Sequence, residues 1–351
     1  MDLAPRPGQG AAALAWSREH LFAGWGSSLI TLGLLTLLVW VTGHLLDWAV
    51  LKAQWRADAE TCRALDHAGA CWGVIAEKHG QILFGRYPHE QMWRPMLATL
   101  LLLALLVLSF LRPRLALILP WVLASALFLL LMGGGAFGLS VVGSERWGGL
   151  PLTLLLSLAG MAGALPLGIL LALGRQAQLP AVAALCRTYI ELVRGVPLVS
   201  LLFLASFLLP LFLPQGMRLD VLSRVLIGLI LFAAAYLAEV VRGGLQAVPE
   251  TQRLAAAALG LGYWQTQRSV VLPQALRLAL PALMNSFIAT IKETSVVTVV
   301  SLYELTGALS LALSGDADWR AFFLEGYLFI AAIYWALCFA LSRFSRRWER
   351  S

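Results

Sequence analysis

Apolar runs of about twenty residues recur along this chain, and they leave it few ways to fold. A helix rising about 1.5 Å per residue needs roughly twenty apolar residues to cross about 30 Å of hydrocarbon. Eight stretches approach that length: roughly 28–48, 95–111, 115–133, 150–173, 195–213, 221–242, 274–296 and 325–342. The backbone finds no water inside hydrocarbon, so such stretches fold as helices. The expected fold class is an all-α integral membrane protein with about eight transmembrane helices. The composition agrees: 60% of the 351 residues are hydrophobic and 13% are charged, against about 25% charged in a soluble domain. The net charge of +7 calls for no nucleic acid, because basic loops beside membrane helices account for it.

Between two of the runs lies a polar, alanine-rich interruption from Pro249 to Pro273. Pro249 suits the first turn of a helix and Thr251 a cap. Leu254 to Leu259 favours helix. Gly260 and Gly262 permit a break with positive φ, and a second short helix then runs to Pro273, where the next span begins. A plain connection between spans is the simpler alternative, but such connections are mostly short and irregular. A rigid helix pair of this composition suits insertion into a groove of a soluble partner.

Lys and Arg in short loops set the orientation of a membrane chain. With the N-terminus in the cytoplasm, Arg112, Arg175, Arg194, Arg253, Arg268 and Arg346 all fall on the cytoplasmic side. Both termini are then cytoplasmic, and so is the elbow at 249–273. The loop at about 49–94 lies outside. It carries Cys62 and Cys71, and an oxidising compartment favours a disulfide over two free thiols, although both fit the spacing. Histidines at 20, 44, 67, 79 and 89 are scattered, so no metal-ligand spacing is present. The lysines are Lys52, Lys78 and Lys292, and none follows a glycine. A GxxxxGK[ST] phosphate loop is therefore absent. Residues 1–27 mix Pro, Gly and paired charges ahead of the first long apolar run, so no cleavable signal peptide is expected.

Four ordered motifs carry a resemblance: Ala235 to Gly244 (AYLAEVVRGG), the elbow, Leu272-Pro-Gln-Ala275 and Lys292-Glu-Thr-Ser295. Together they resemble the permeases of polar amino-acid ABC importers, with their AE…RGG segment, EAA loop, LPQA and K-D/E-T-S. Arg187 to Leu198 is similar to the segment before that family's second core helix. Cys71-Trp, Glu77-Lys78, Ile82 to Pro88, Trp93-Arg-Pro95, Tyr334-Trp and Ser342 to Ser345 resemble the general L-amino-acid branch.

The resemblance implies a five-helix type I importer core at 148–345 with its coupling loop at about 246–273. A cytoplasmic segment (1–27), three added helices (28–147) and a tail (346–351) surround it. It implies a transport subunit of the bacterial inner membrane, without an ATPase site or cofactor of its own. ATP and Mg would sit on partner ATPase subunits. The other implied partners are a second, homologous permease, a periplasmic amino-acid-binding protein and the amino-acid substrate.

The ATPase-coupling residues on this reading are Glu250, Gln252 and Leu254 with Ala255, Ala256, Leu259 and Gly260. The chain departs from the family at Leu254, which stands in place of the loop's glutamate, and at Thr251, in place of a glycine.

Charges inside a bilayer are costly and mark functional candidates. Glu239 and Arg242 close one span, where a structural ion pair is favoured over a gate. Lys292, Glu293, Thr294 and Ser295 either line the substrate route or pair structurally, and Asn285 is a lesser candidate of the same kind. Gly160, Ala164 and Gly168 form a small-residue ladder that serves packing, either internal or across a dimer. Two other classes compete. An ion-coupled secondary transporter of small polar solutes needs an internal repeat or midplane carboxylates, and a membrane enzyme needs a catalytic constellation. Neither pattern is read in the chain.

Overall fold

A computed structural model describes residues 9–64, 69–112, 118–214 and 216–348. The start of the 1–27 segment, His67, the Arg-Pro-Arg turn beyond Arg112, the first residues of the 115–133 window and the end of the 346–351 tail lie outside the described residues. The chain divides into two compact units, 1–76 and 77–351.

The first unit holds α1 (Gln9–His20), α2 (Trp25–Leu46) and α3 (Ala59–Ala64). α2 continues through one wide turn, Asp47–Leu51. Cys62 and Cys71 form a disulfide with Cα atoms 5.8 Å apart. Trp72 donates its indole N–H to the Ala49 carbonyl at 2.8 Å, which ties this short loop to the end of α2.

The second unit begins within α4 (Gly73–Phe84). It continues with α5 (Trp93–Leu111), α6 (Ile118–Gly133), α7 (Gly149–Arg175), α8 (Pro180–Gly195), α9 (Leu198–Phe203) and α10 (Val221–Ala247). After these come α11 (Glu250–Ala258), α12 (Tyr263–Thr266), α13 (Leu272–Glu293), α14 (Leu305–Ser314) and α15 (Phe323–Trp348). Among the described residues five helices are long and apolar enough to span a membrane: Trp25–Leu51, Gly149–Arg175, Val221–Ala247, Tyr263–Val300 and Phe323–Arg346. The apolar parts of α5 and α6, Trp93–Ser109 and Ile118–Gly133, are shorter. The expected span at 195–213 is the helical stretch Leu198–Phe212, and Val196-Pro197 sets it off from α8 at 109°; the two count as a sixth span only if taken together.

α10 is the axis of the second unit. Asp220 caps it by accepting the Ser223 N–H, and the Ser144 hydroxyl donates to the same carboxylate at 2.6 Å. The ladder on α7 faces α10 within this chain: a Cβ added at Gly168 would stand 2.8 Å from Leu237 Cβ and 3.1 Å from the Ala234 carbonyl. The small residues therefore serve internal close packing.

α5 and α6 are locked by the motif residues of the former outer loop. Arg94, 1% exposed, donates Nε to the Leu131 carbonyl at 2.6 Å and Nη1 to the Ser140 carbonyl at 2.9 Å. Tyr87 donates its hydroxyl to the Met132 carbonyl at 3.0 Å. The bonds to Leu131 and Met132 satisfy carbonyls that the last turn of α6 leaves open. Gly149 starts α7 with φ +63°, its N–H donates to the Tyr303 carbonyl at 2.9 Å, and a Cβ there would collide with the Leu83 carbonyl. Only glycine meets both demands.

Candidate functional site

Two regions of the second unit carry the candidate residues, one at each end of α13. At its start lies the elbow. α11 begins at Glu250, directly after Pro249, so Thr251 sits inside the first turn and gives no side-chain cap. Gly260 (φ +75°) ends α11: Leu261 N–H donates to the Ala256 carbonyl at 3.1 Å and Gly260 N–H to the Ala257 carbonyl at 2.9 Å. This is a Schellman closure, and it needs the left-handed residue. Gly262, by contrast, is extended with φ −70°. The expected second helix is not separate. α12 passes through one wide turn, Gln267–Val271, into α13, and this wide turn stands directly ahead of Pro273, where a helix interior has to accommodate a missing N–H. A single long helical run, Tyr263–Val300, therefore carries the elbow straight into a span.

The elbow presents large apolar side chains outward. Leu254 is 63% exposed, Leu259 81%, Tyr263 51% and Trp264 69%. Glu250, Gln252, Ala255 and Gly260 are exposed beside them, whereas Ala256 is buried and faces its own chain. Gln274 ties the elbow back by donating to Gln252 at 3.3 Å.

At the far end of α13 the four-residue motif splits. Thr294 is buried and turns its hydroxyl to the Ile291 carbonyl at 2.8 Å. Glu293 is half-buried. Lys292 and Ser295 line an open cavity of about 300 Å³, bordered by Thr306 of α14 and by Tyr327, Ile330, Ala331 and Tyr334 of α15. Asn285 is exposed on α13 and outside this cavity.

Behind the cavity lies a residue that the sequence reading did not single out. Glu304 is fully buried and caps α14. Its Oε1 accepts the Thr306 N–H at 2.8 Å and the Gly307 N–H at 3.2 Å. Its Oε2 accepts the Tyr334 hydroxyl at 2.6 Å and the Thr153 hydroxyl at 3.2 Å. Burial pushes this carboxyl up from its ordinary value, against the pull of those hydrogen bonds. No local signal pointed to it, because the usual cap residues are Ser, Thr, Asp and Asn rather than Glu.

Glu239 and Arg242 do not line the cavity. Glu239 accepts from Arg175 of α7 and from Arg242 Nε at 2.8 Å, with Arg194 of α8 at 4.0 Å. Arg175 also reaches Glu191 at 3.8 Å. One carboxylate thus joins the ends of α7, α8 and α10, a fastening role in which removing the acid leaves clustered cations uncompensated. Among the described residues no group of His, Cys, Asp and Glu has the arrangement to hold a metal.

Residues 164–351 match the family described as "binding-protein-dependent transport system inner membrane component". The chain is 46% identical over 356 residues to the inner membrane amino-acid ABC transporter permease protein YhdY of Escherichia coli K12, covering 99% of this chain and 95% of that protein. It is 36% identical over 417 residues to the glutamate/glutamine/aspartate/asparagine transport system permease protein BztC of Rhodobacter capsulatus, covering 99% and 96%. In structure it is similar to a crystallised amino acid ABC transporter with histidines, at 33% identity and TM-score 0.50, over 57% of this chain and 90% of that one.

Proposed function

The chain belongs to the inner-membrane permeases of binding-protein-dependent amino-acid ABC transporters, and from that premise we propose how its two candidate regions divide the work. The elbow docks on a cytoplasmic ATPase subunit, and the cavity at Lys292 holds the amino acid on its way across. A second, homologous permease completes the pathway, and a periplasmic binding protein delivers the amino acid to the outer face. ATP and Mg act on the ATPase subunits, since this sequence carries no phosphate loop. Both termini are cytoplasmic on this reading.

The observation that carries the proposal is the elbow's exposed apolar set on an ordered, glycine-closed helix. Apolar side chains clustered on a polar segment mark a docking surface. The elbow's direct continuation into α13 supports the coupling. A push on the elbow at Trp264 is transmitted along one helical run to Lys292, roughly 40 Å away at about 1.5 Å per residue. Nucleotide would then bias two states of the pathway.

Co-purification tests this. Deleting 250–262 is expected to abolish recovery of a P-loop ATPase with the chain and to stop ATP-driven amino-acid uptake into proteoliposomes. Retention of the ATPase by the deletion variant would refute elbow docking.

A further inference from the structure

Glu304 is the one fully buried acid among the described residues to which the proposed transport cycle gives no task. Every group that faces its carboxylate is able to donate: the Thr306 and Gly307 N–H groups, and the hydroxyls of Tyr334, Thr153 and, at 3.5 Å, Thr298. The two backbone N–H groups can only donate and the three hydroxyls can each turn a proton inward, so the arrangement suits the carboxylate.

This fixes the sense of the Tyr334 hydroxyl. A phenol has a single proton to give, and at 2.6 Å it goes to Glu304 Oε2. The Thr306 hydroxyl, 3.4 Å from the Tyr334 oxygen, is then the donor of that pair. Both residues line the Lys292 cavity, so the Tyr334 oxygen meets the cavity with lone pairs only. Ser295 behaves alike, because its hydroxyl proton is spent on the Lys292 carbonyl at 2.7 Å. Lys292 itself has three donors and no acceptor. The cavity thus pairs one cation with hydroxyl oxygens turned to accept.

We propose that Tyr334 accepts a hydrogen bond from the α-ammonium group of the transported amino acid, while Lys292 takes its carboxylate, and that Glu304 is a positioning residue that holds the Tyr334 hydroxyl in the accepting sense. The proposal rests on the reading of the Lys292 cavity as the substrate's place. It assigns a role to the polarity of one hydroxyl. Glu304→Gln would reverse that polarity, because the amide N–H₂ donates to Tyr334 and frees its proton to face the cavity. A site built to bond one substrate group loses most of its preference when that bond is mismatched.

The test uses the full chain purified in nanodiscs with the subunits that assemble with it. The twenty L-amino acids are screened by thermal shift, and the strongest binder is titrated beside its des-amino analogue, which keeps the carboxylate. Tyr334→Phe and Glu304→Gln are expected to weaken the amino acid by roughly 10- to 100-fold and to leave the des-amino acid within about 2-fold of wild type. Lys292→Met is expected to weaken both ligands. If the Tyr334 and Glu304 variants weaken both ligands alike, or neither, the inference is overturned, and Lys292→Met still reports on the cavity. If Lys292→Met changes nothing, or no amino acid stabilises the wild type, the cavity reading itself fails and takes the inference with it. Tyr334→Phe removes only a hydroxyl and remains decisive should Glu304→Gln not fold.

Discussion

The elbow and the Glu304 knot interrupt the apolar core in opposite ways. At the elbow the backbone is closed by Gly260, yet Leu254, Leu259, Tyr263 and Trp264 stand exposed. At the knot a carboxylate is withdrawn completely, and donors from α7, α14 and α15 answer it. One region is left unfinished until another molecule covers it. The other is finished by its own chain. Damage at the knot should therefore appear as lost stability, and damage at the elbow as lost function with stability intact.

The largest effect is expected from Glu304→Leu. It takes the Glu304 acceptor away from two backbone N–H groups and from the partly buried Tyr334 hydroxyl. Each such donor costs about 1–3 kcal/mol, so a loss of roughly 4 kcal/mol is expected, enough to abolish monodisperse protein after detergent extraction. A variant that elutes and melts like wild type would show that the knot does not hold α14 to α7 and α15. The matching experiment at the elbow is Leu259→Asp combined with Trp264→Ala. Both side chains are mostly exposed, so the melting behaviour should move by no more than about 0.5 kcal/mol. Amino-acid uptake and recovered ATPase should nevertheless fall about 10-fold or more, because exposed anchors of this kind dominate docking. A stability loss without a transport loss would reverse the comparison.

The two regions also differ in how far the sequence displays them. The elbow is local: its proline, alanines and glycines lie within twenty-five residues, and its helix and break follow from neighbour preferences. What the sequence hid there was the continuity of α12 with α13, because a proline reads as a boundary, whereas here a wide turn ahead of it carries the helix on. The knot is non-local. Thr153 and Tyr334 reach Glu304 across 151 and 30 positions, and no periodicity announces such a meeting. The small-residue ladder was readable as packing, but only the geometry at Gly168 settles which helix it packs against. The angle between α8 and α9 is likewise a matter of geometry: Val196-Pro197 marks a break in the sequence but not the 109° at which the two helices meet.

Asp220 lies between the two extremes, a partly exposed carboxylate satisfied by its own chain. Burial raises its pKa, but hydrogen bonds from Ser144 and Ser223 outweigh this and hold the carboxyl below its ordinary 3.8. A depressed folded value means that the stabilisation is present above the unfolded value and is lost as pH falls through the folded one. Wild type should therefore lose this contribution below about pH 4, and Asp220→Asn should lack that acid-dependent step. At neutral pH the substitution should cost less than about 1 kcal/mol, because asparagine caps a helix about as well as aspartate. Melting curves from pH 3 to 7 on both proteins would check it, and parallel curves would remove Asp220 from the account.

The smallest effect, and the sharpest test of what the elbow is made of, is Leu254→Glu. Leu254 is 63% exposed on α11, one turn beyond Glu250, so a glutamate there faces outward and fits without repacking. Fold stability should change by less than about 0.5 kcal/mol, as for other exposed helix positions. Its effect on coupling separates two kinds of docking. If the elbow docks by shape, with Leu259 and Trp264 as anchors, replacing one flanking leucine leaves substrate-stimulated ATPase activity at or slightly above the wild-type level. A carboxylate adds only a rim-type ionic contact to a basic partner, worth about 0.2–1 kcal/mol, and that gain should shrink as salt is raised. A several-fold fall in stimulated ATPase activity would instead place Leu254 among the anchors. The apolar surface would then extend over α11, and the comparison with the knot would tighten: buried charge satisfied within the chain at one end of α13, exposed apolar surface awaiting a partner at the other.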